Sequence, residues 1–443
     1  MRVCELLRET PGEIAGVMSA LEGEYVPSGP GGDLLRDGPG VLPTGRNIFA
    51  LDPYRMPSPG AMARGERLAE QVIEQELTAS GGVFPETVTV TLWGLDAIKT
   101  RGESVAIALA LVGARPVSEA TGRVARFELI PLAELGRPRV DVLCSMSGIF
   151  RDSFANVVDL LDDMFQRAAA AEDEPEELNF VRKHALALAE EAGVEPAAAA
   201  ARLFSNPSGD YGSMVNERVG TSDWSSSAEL GDTWASRNAY SYGRGDERGV
   251  ARPAVLQGLL KTTTRVVQEV DSVEYGLTDI QEYYANTGAI AAAARASQGA
   301  DARVGVSVVE ATGQGDAPPR ELDDVLRMEY RSKLLNPKWA ESMVAMGSGG
   351  AYEVSTRMTA AVGWGGTTGF AEDWVYDQAD EVYVQDEKMA ARLRKSNPSA
   401  FRNVVGRLIE AAARGMWDAD PNRLNELKAL YSDVEDELEG VTN

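Results

Sequence analysis

The chain is poor in histidine and in cysteine. Its 443 residues contain one histidine, His184, and two cysteines, Cys4 and Cys144, which lie far apart in the sequence. One imidazole excludes a metal site built from several histidines of this chain, and two isolated cysteines predict neither a disulfide framework nor a zinc cluster. A metal bound here would meet carboxylate and carbonyl oxygens, which are the ligands of a hard ion such as Mg²⁺.

Positive charge is also scarce, since 43 lysines and arginines face 68 aspartates and glutamates, for a formal net charge of −25. Such a surface repels the phosphates of nucleic acids and of anionic lipids. We therefore expect no nucleic-acid partner and at most peripheral membrane contact. Long apolar runs are absent, and the first residues are charged and lack the apolar core of a signal peptide. These features predict a cytoplasmic protein.

Several common catalytic motifs are missing. The sequence has no GxxxxGK[ST] loop, no GxGxxG after a strand, no HExxH and no GxSxG. The first of these supplies the backbone amides and the lysine that bind the phosphates of ATP, so we expect no ATP hydrolysis by this chain itself.

The first 150 residues show the pattern of an α/β domain with a partly parallel sheet. Apolar and threonine residues alternate from Thr87 to Leu92, which predicts a half-buried strand. Thr100 and Glu103 have the spacing of a capping box, which predicts a helix start. Further strands are expected from Arg123 to Ile130 and from Val140 to Met146. A strand, a helix and two more strands within so short a stretch indicate the α/β class.

The rest of the chain is predicted to be mixed and then helical. We expect residues 151–320 to form a mixed helical and loop-rich domain with a further strand from Arg303 to Val309. Within it, the Gly- and Ser-rich segment from Asn206 to Gly249 predicts irregular structure, and Pro253 to Gln268 predicts one helix. Residues 321–443 are expected to form an all-helical C-terminal domain, because apolar residues recur there at helical spacing, as from Phe401 to Ala412.

Nine segments of the sequence are distinctive; they are Gly31 to Pro57, Leu92 to Glu103 (LWGLDAIKTRGE), Leu132 to Phe154, Arg202 to Val219 (RLFSNPSGDYGSMVNERV), Asp232 to Gly245, Val270 to Gly288, Leu335 to Tyr352, Asp373 to Tyr376 and Asn397 to Trp417. In this order, and nearly from end to end, they resemble the C-terminal portion of the large subunits of the magnesium chelatase and cobaltochelatase family. Details resemble the magnesium type. Cobalt-type subunits tend to carry a histidine where this chain has Met346.

The resemblance implies a tetrapyrrole-binding, catalytic subunit of magnesium chelatase. Such an enzyme inserts Mg²⁺ into protoporphyrin IX in chlorophyll and bacteriochlorophyll biosynthesis, near a photosynthetic membrane. ATP would be hydrolysed by partners, an AAA+ motor subunit that acts with a metal-ion-dependent adhesion-site subunit. Family large subunits are longer on the N-terminal side, so an N-terminal portion outside this sequence is a further expected partner. The alternatives are cobalt insertion into a corrin precursor, porphyrin binding without turnover, and a scaffold for the motor complex.

Metal insertion needs carboxylates that replace water on Mg²⁺, a base for the pyrrole protons and an apolar slot for the macrocycle. For the metal we expect Asp96 and Asp210, and as catalytic groups His184 and Glu217, since an imidazole accepts protons near neutral pH. The macrocycle and its propionates are expected to meet seven residues of the family-like segments: Arg46, Lys99, Arg137, Tyr211, Trp234, Arg237 and Tyr242. Core packing is the alternative role of the aromatic residues, ion pairing that of the arginines, and a helical surface or interface position that of His184.

Overall fold

The structure, a computed structural model, describes residues 2–31, 38–49, 52–172, 174–272, 275–299, 302–311 and 317–441. Its strands in chain order are β1 Ser28–Pro30, β2 Asn47–Phe49, β3 Thr87–Leu92, β4 Ala114–Ser118, β5 Val124–Leu129, β6 Asp141–Met146, β7 Leu203–Ser205, β8 Tyr240–Tyr242, β9 Arg248–Ala251, β10 Thr263–Val270, β11 Gly305–Glu310 and β12 Arg320–Glu321.

The α-helices of the described residues are α1 Arg2–Arg8, α2 Gly12–Leu21, α3 Pro59–Ser80, α4 Gly94–Thr100, α5 Glu103–Val112, α6 Leu132–Leu135, α7 Gly148–Ser153, α8 Ala155–Ala169, α9 Phe180–Ala192, α10 Pro196–Ala199, α11 Val215–Thr221, α12 Ser227–Arg237, α13 Pro253–Thr262, α14 Gln281–Tyr283, α15 Ala289–Gln298, α16 Leu322–Ser332, α17 Pro337–Ala345, α18 Ser348–Thr368, α19 Asp373–Asp380, α20 Glu387–Ser396, α21 Pro398–Ala413 and α22 Pro421–Glu439. Short π-helical turns follow α14 and α19. None of the described helices is both long and apolar enough to cross a membrane.

Eight strands form the main sheet, in the order β12-β11-β10-β3-β6-β7-β8-β9. The five from β11 to β7 run parallel, and the outer three pair antiparallel. This confirms the predicted α/β class with a partly parallel sheet and, with α16 to α22, the helical C-terminal region.

The central strand β3 is buried at all six positions, where its alternation predicted one exposed face. Helices cover both faces of a parallel sheet, so its central strands lose contact with water on both sides. The threonine hydroxyls then need partners inside the protein. Thr87 hydrogen-bonds Thr262 at 2.7 Å between oxygens, and Thr91 donates to the carbonyl of Val267 at 3.0 Å.

The prediction of one helix from Pro253 to Gln268 is wrong, because the second part of this segment forms strand β10. The helix ends at Thr262, and the chain continues directly as the strand, which pairs with β3 and β11. Four of the five residues from Thr263 to Val267 are β-branched, which favours a strand once the segment lies between two neighbours. Likewise, Asn206 to Gly249 contains α11, α12, β8 and β9 rather than irregular structure throughout.

The sheet also joins residues on both sides of the boundary that we expected at residue 150. Strands β3 and β6 precede that position, whereas their neighbours β10 and β7 follow it. The first two expected domains therefore share one sheet, and the carboxyl ends of strands from both lie side by side.

Candidate functional site

A cavity of about 490 Å³ opens at the carboxyl ends of β3, β6, β7 and β10. Its volume lies within the range of roughly 300–1,000 Å³ found for small-molecule sites. Its place follows from the topology, because from β3 the chain first adds β6 on one side and later β10 on the other. At a point where the strand order of a parallel sheet reverses in this way, the loops that follow the two neighbouring strands diverge and leave a crevice for a ligand.

The mouth of the cavity is apolar. Four large side chains that line it remain exposed to solvent, although burial would stabilise them; they are Leu95, Ile149, Tyr211 and Tyr275. Exposed apolar groups gathered around a concavity mark a ligand or partner site. Glycines allow this close packing, since a Cβ on Gly94 would stand 2.4 Å from Ile149.

Carboxylates line the interior. Asp96, Asp271 and Glu282 face the cavity together with one cation, Lys99, whose Nζ lies 2.5 Å from Oδ2 of Asp271. Within the described ranges, no three acidic, histidine or cysteine side chains come together in a group that could hold a metal ion. The interior is thus acidic, and its lysine is already engaged by one of the carboxylates.

Two further acidic side chains, Glu269 and Glu103, are buried behind the wall of the cavity. Glu269 on β10 is 1% exposed, and its carboxylate oxygens have no hydrogen-bond partner among the described residues. Burial, and then the neighbouring carboxylates of Glu103 and Asp96, raise its pKa well above the ordinary value. Glu103 instead pairs with Arg64 at 3.2 Å, although burial raises its pKa as well. Glu269 was not predicted from the sequence, because there it falls just beyond the end of the predicted helix, whereas in the structure it lies on β10.

Trp93 forms part of the cavity wall, and Gln268 holds it. Oε1 of Gln268 accepts hydrogen bonds from Nε1 of Trp93 and from Oγ1 of Thr91, each at 3.1 Å, and a further one from Thr287. Tyr283 meets the Trp93 ring edge-on, with 5.9 Å between ring centroids. One buried amide therefore ties β3, β10 and the π-helical turn together at the site.

Three of the residues proposed from the sequence line the cavity, namely Asp96, Lys99 and Tyr211. Asp210 and Arg237 do not line it. They pair with each other, with 3.1 Å between Nη2 and Oδ2. Tyr242 lies behind the wall, where its hydroxyl donates to the carbonyl of Asn206 at 2.6 Å.

His184 lies at the opposite edge of the sheet, near the amino ends of β3 and β6. Its Nδ1 is 2.9 Å from Oδ2 of Asp141, and its Nε2 is 3.1 Å from Oε2 of Glu86. Burial lowers the pKa of the imidazole, but these two hydrogen bonds outweigh it and leave the pKa raised. In return, the hydrogen bond from His184 lowers the pKa of Glu86 to about 2. His184 thus joins α9 to the sheet and does not line the cavity.

Four further residues proposed from the sequence also lie outside the cavity lining. Arg137 donates to the carbonyls of Leu111 and Ala110 and so caps α5. Arg46 donates to Pro43 within its own loop. Trp234 is fully buried in the core, and Glu217 is exposed on α11. The first three are thus engaged in helix capping, a contact within a loop and core packing, and the two arginines bind carbonyls rather than carboxylates.

The fold and the cavity together define an α/β protein with a candidate ligand site at the carboxyl edge of its sheet. Residues 1–424 match the CobN/Magnesium Chelatase family. A magnesium-chelatase subunit of Chlorobaculum parvum is 44% identical over 440 residues, which are 99% of this chain and 34% of that protein. The aerobic cobaltochelatase subunit CobN of a Sinorhizobium species is 34% identical over 416 residues, 93% of this chain and 32% of that protein.

A solved structure agrees with these relatives. The catalytic subunit of cobaltochelatase from Mycobacterium tuberculosis superposes with a TM-score of 0.89 at 32% identity, covering 98% of this chain and 37% of that one. The chain belongs to the CobN/magnesium chelatase family, as its sequence segments predicted. It spans about a third of the length of the relatives that it matches.

Proposed function

We propose that this chain is part of the large subunit of a magnesium chelatase, and that its cavity takes part in holding protoporphyrin IX while Mg²⁺ is inserted. The observation that carries the proposal is the cavity at the carboxyl edge of the sheet, with an apolar mouth and an acidic interior, in a member of a chelatase family. An apolar mouth suits the faces of a macrocycle, and carboxylates suit Mg²⁺.

The chemistry divides among the residues of the cavity. Leu95, Ile149 and Tyr211 would contact the macrocycle, and Lys99 lies where it would meet a propionate. Asp96 is the carboxylate that we propose to replace water on Mg²⁺, which gives up its hydration shell reluctantly. Ion pairing with Arg237 makes Asp210 a poorer candidate.

ATP hydrolysis is assigned to partner subunits in this proposal, an AAA+ motor and a metal-ion-dependent adhesion-site subunit. The remaining two-thirds of the large subunit would complete the slot, because the chain spans about a third of its relatives. The identity of 44% to a magnesium-type subunit, against 34% to a cobalt-type subunit, supports magnesium and protoporphyrin as substrates.

Reconstitution tests the proposal. The chain is combined with the rest of the large subunit, the motor subunits, ATP, Mg²⁺ and protoporphyrin IX, and Mg-protoporphyrin is followed by its fluorescence. We expect product only in the complete mixture, and an at least tenfold slower rate with Asp96→Asn. The matched control is Asp246→Asn, because Asp246 is exposed and lies outside the cavity lining. No product in the complete mixture would refute the proposal.

Cobalt insertion into a corrin precursor is the second candidate, because a solved structure similar to this chain is a cobaltochelatase subunit. The same mixture with Co²⁺ and the metal-free corrin tests it. Faster turnover of that pair than of Mg²⁺ with protoporphyrin would favour cobalt. Tight porphyrin binding without product in either mixture would favour a binding protein without turnover.

A further inference from the structure

The segment from Asn206 to Met214 forms one wall of the cavity, which Asn206, Tyr211 and Gly212 line. It follows β7 without regular secondary structure. Met214 at its end has a φ of 67°, in the left-handed region that side chains other than glycine seldom adopt. Such a backbone keeps its conformation only when its surroundings hold it.

Arg151 on α7 holds the first half of this segment, from Asn206 to Asp210. Its Nη1 donates to the carbonyls of Asn206 at 3.0 Å, Pro207 at 2.9 Å and Asp210 at 3.3 Å. Its Nε and Nη2 bind the two carboxylate oxygens of Asp152 at 2.7 and 2.9 Å. Arg151 is 4% exposed. A planar guanidinium with five N–H groups can bridge these acceptors, which the point charge of a lysine cannot do.

The ring of Tyr211 is fixed from three sides and yet is 58% exposed. Its hydroxyl donates to Oδ2 of Asp152 at 2.7 Å, and the Arg151 guanidinium lies 5.4 Å from the ring centroid. The ring packs on Gly148, where a Cβ would stand 2.4 Å away. A side chain ordered in advance loses little conformational entropy when a ligand covers it, so the exposed ring is a preorganised binding surface.

We propose that Tyr211 is a specificity-determining residue for the macrocycle, and that Arg151 and Asp152 are positioning residues that present its ring to the cavity. The inference rests on the proposed function. A porphyrin is planar and aromatic and can stack on a fixed phenol ring. A corrin ring is puckered and partly saturated, so the same surface stabilises it less. The fixed ring therefore favours the porphyrin over the corrin.

The test is a binding titration of protoporphyrin IX and of a metal-free corrin, with the chain alone and within the complete large subunit. Tyr211→Ala should weaken porphyrin binding by roughly 3- to 10-fold, the usual size of an aromatic contact, and corrin binding by less than about 2-fold. Tyr211→Phe and Asp152→Ala keep the ring but remove its tether. They should weaken porphyrin binding less and alter the circular dichroism induced in the bound porphyrin, which reports its orientation.

Tyr352→Ala is the matched control, because Tyr352 is equally exposed but lies on α18, outside the cavity lining. It should leave both affinities and the dichroism unchanged. If Tyr211→Ala binds both macrocycles as the wild type does, or loses both equally, the specificity role is refuted while the proposed function stands. If the wild type binds neither macrocycle in either form, the proposed function fails and the inference fails with it.

Discussion

At the scale of single residues, chemical type identified the candidates, and position in the sheet separates those that line the cavity from those that do not. His184 was a reasonable candidate because it is the one imidazole of the chain. The hydrogen bonds that raise its pKa come from Glu86 and from Asp141, at the amino ends of the strands. The cavity lies at the carboxyl ends, so a perturbed pKa marks a structural network here.

His184→Ala should therefore lower stability more than it lowers metal insertion. We expect a loss of about 1–3 kcal/mol in the free energy of unfolding, because the buried Asp141 loses a hydrogen bond. Because the imidazole pKa is raised in the folded state, the protonated His184 stabilises the fold fully at pH values below the ordinary pKa of 6.5. This contribution is lost as pH rises through the raised pKa. Urea unfolding should thus show a larger cost at pH 6 than at pH 9.

The control is Lys183→Ala, which removes an exposed ion pair with Glu86 and should cost less than about 1 kcal/mol. A stable His184→Ala protein that has lost insertion activity would contradict the structural role.

The raised pKa of Glu269 predicts a second dependence of the free energy of unfolding on pH. Its carboxyl pKa is raised by burial, so the folded state holds the proton more tightly than the unfolded state does. Stability is then greatest below the ordinary carboxyl pKa and falls as pH rises toward the raised value. Glu269→Gln carries no charge, and it should flatten the fall in the urea midpoint between pH 5 and pH 9. Glu24→Gln, at an exposed position, should follow the wild type. A Glu269→Gln curve parallel to the wild type would refute this assignment.

At the scale of elements, strand β10 marks the limit of what could be predicted from the sequence. Strands β3 and β6 and the helical C-terminal region were predictable, because their apolar patterns are long and regular. The start of β10 was not, because α13 passes into it without a turn residue and its apolar run fits either structure. Without β10 the cavity could not be located either. Asp271, which lines the cavity, directly follows this strand, and Glu269 behind the wall lies on it.

Gln268→Leu tests how β10 supports the site. The change keeps the volume of the side chain but leaves the indole N–H of Trp93 and the buried hydroxyl of Thr287 without their acceptor, whereas Thr91 keeps the carbonyl of Val267. Each unpaired buried donor costs about 1–3 kcal/mol, so chemical unfolding should show a loss in that range or above it. Trp93→Phe removes one donor together with its need for a partner, and it should cost less than Gln268→Leu. Equal stability of Gln268→Leu and the wild type would show that the amide does not hold this wall.

At the scale of the whole molecule, the share of the relatives that the chain covers defines what it can do by itself. It matches about a third of a magnesium-chelatase subunit, and its net charge of −25 attracts cations in general without choosing among them. Under the proposed function, selectivity would have to come from the geometry of the cavity. Identity to both magnesium- and cobalt-type subunits fits a shared scaffold whose details choose the substrate.

The purified chain should hydrolyse no ATP, and the ATP requirement of metal insertion should enter with the motor subunits. The sequence has no phosphate-binding loop with its lysine, so a substrate phosphate would lack the backbone amides and the charge that bind it. A phosphate-release assay on the chain alone should match the buffer blank. ATP turnover should appear when the motor subunits are added. It should be absent when the added motor is a variant without its own loop lysine, which would assign the activity to the motor. Turnover by the chain that survives further purification and is unaffected by the motor variant would contradict this division of labour.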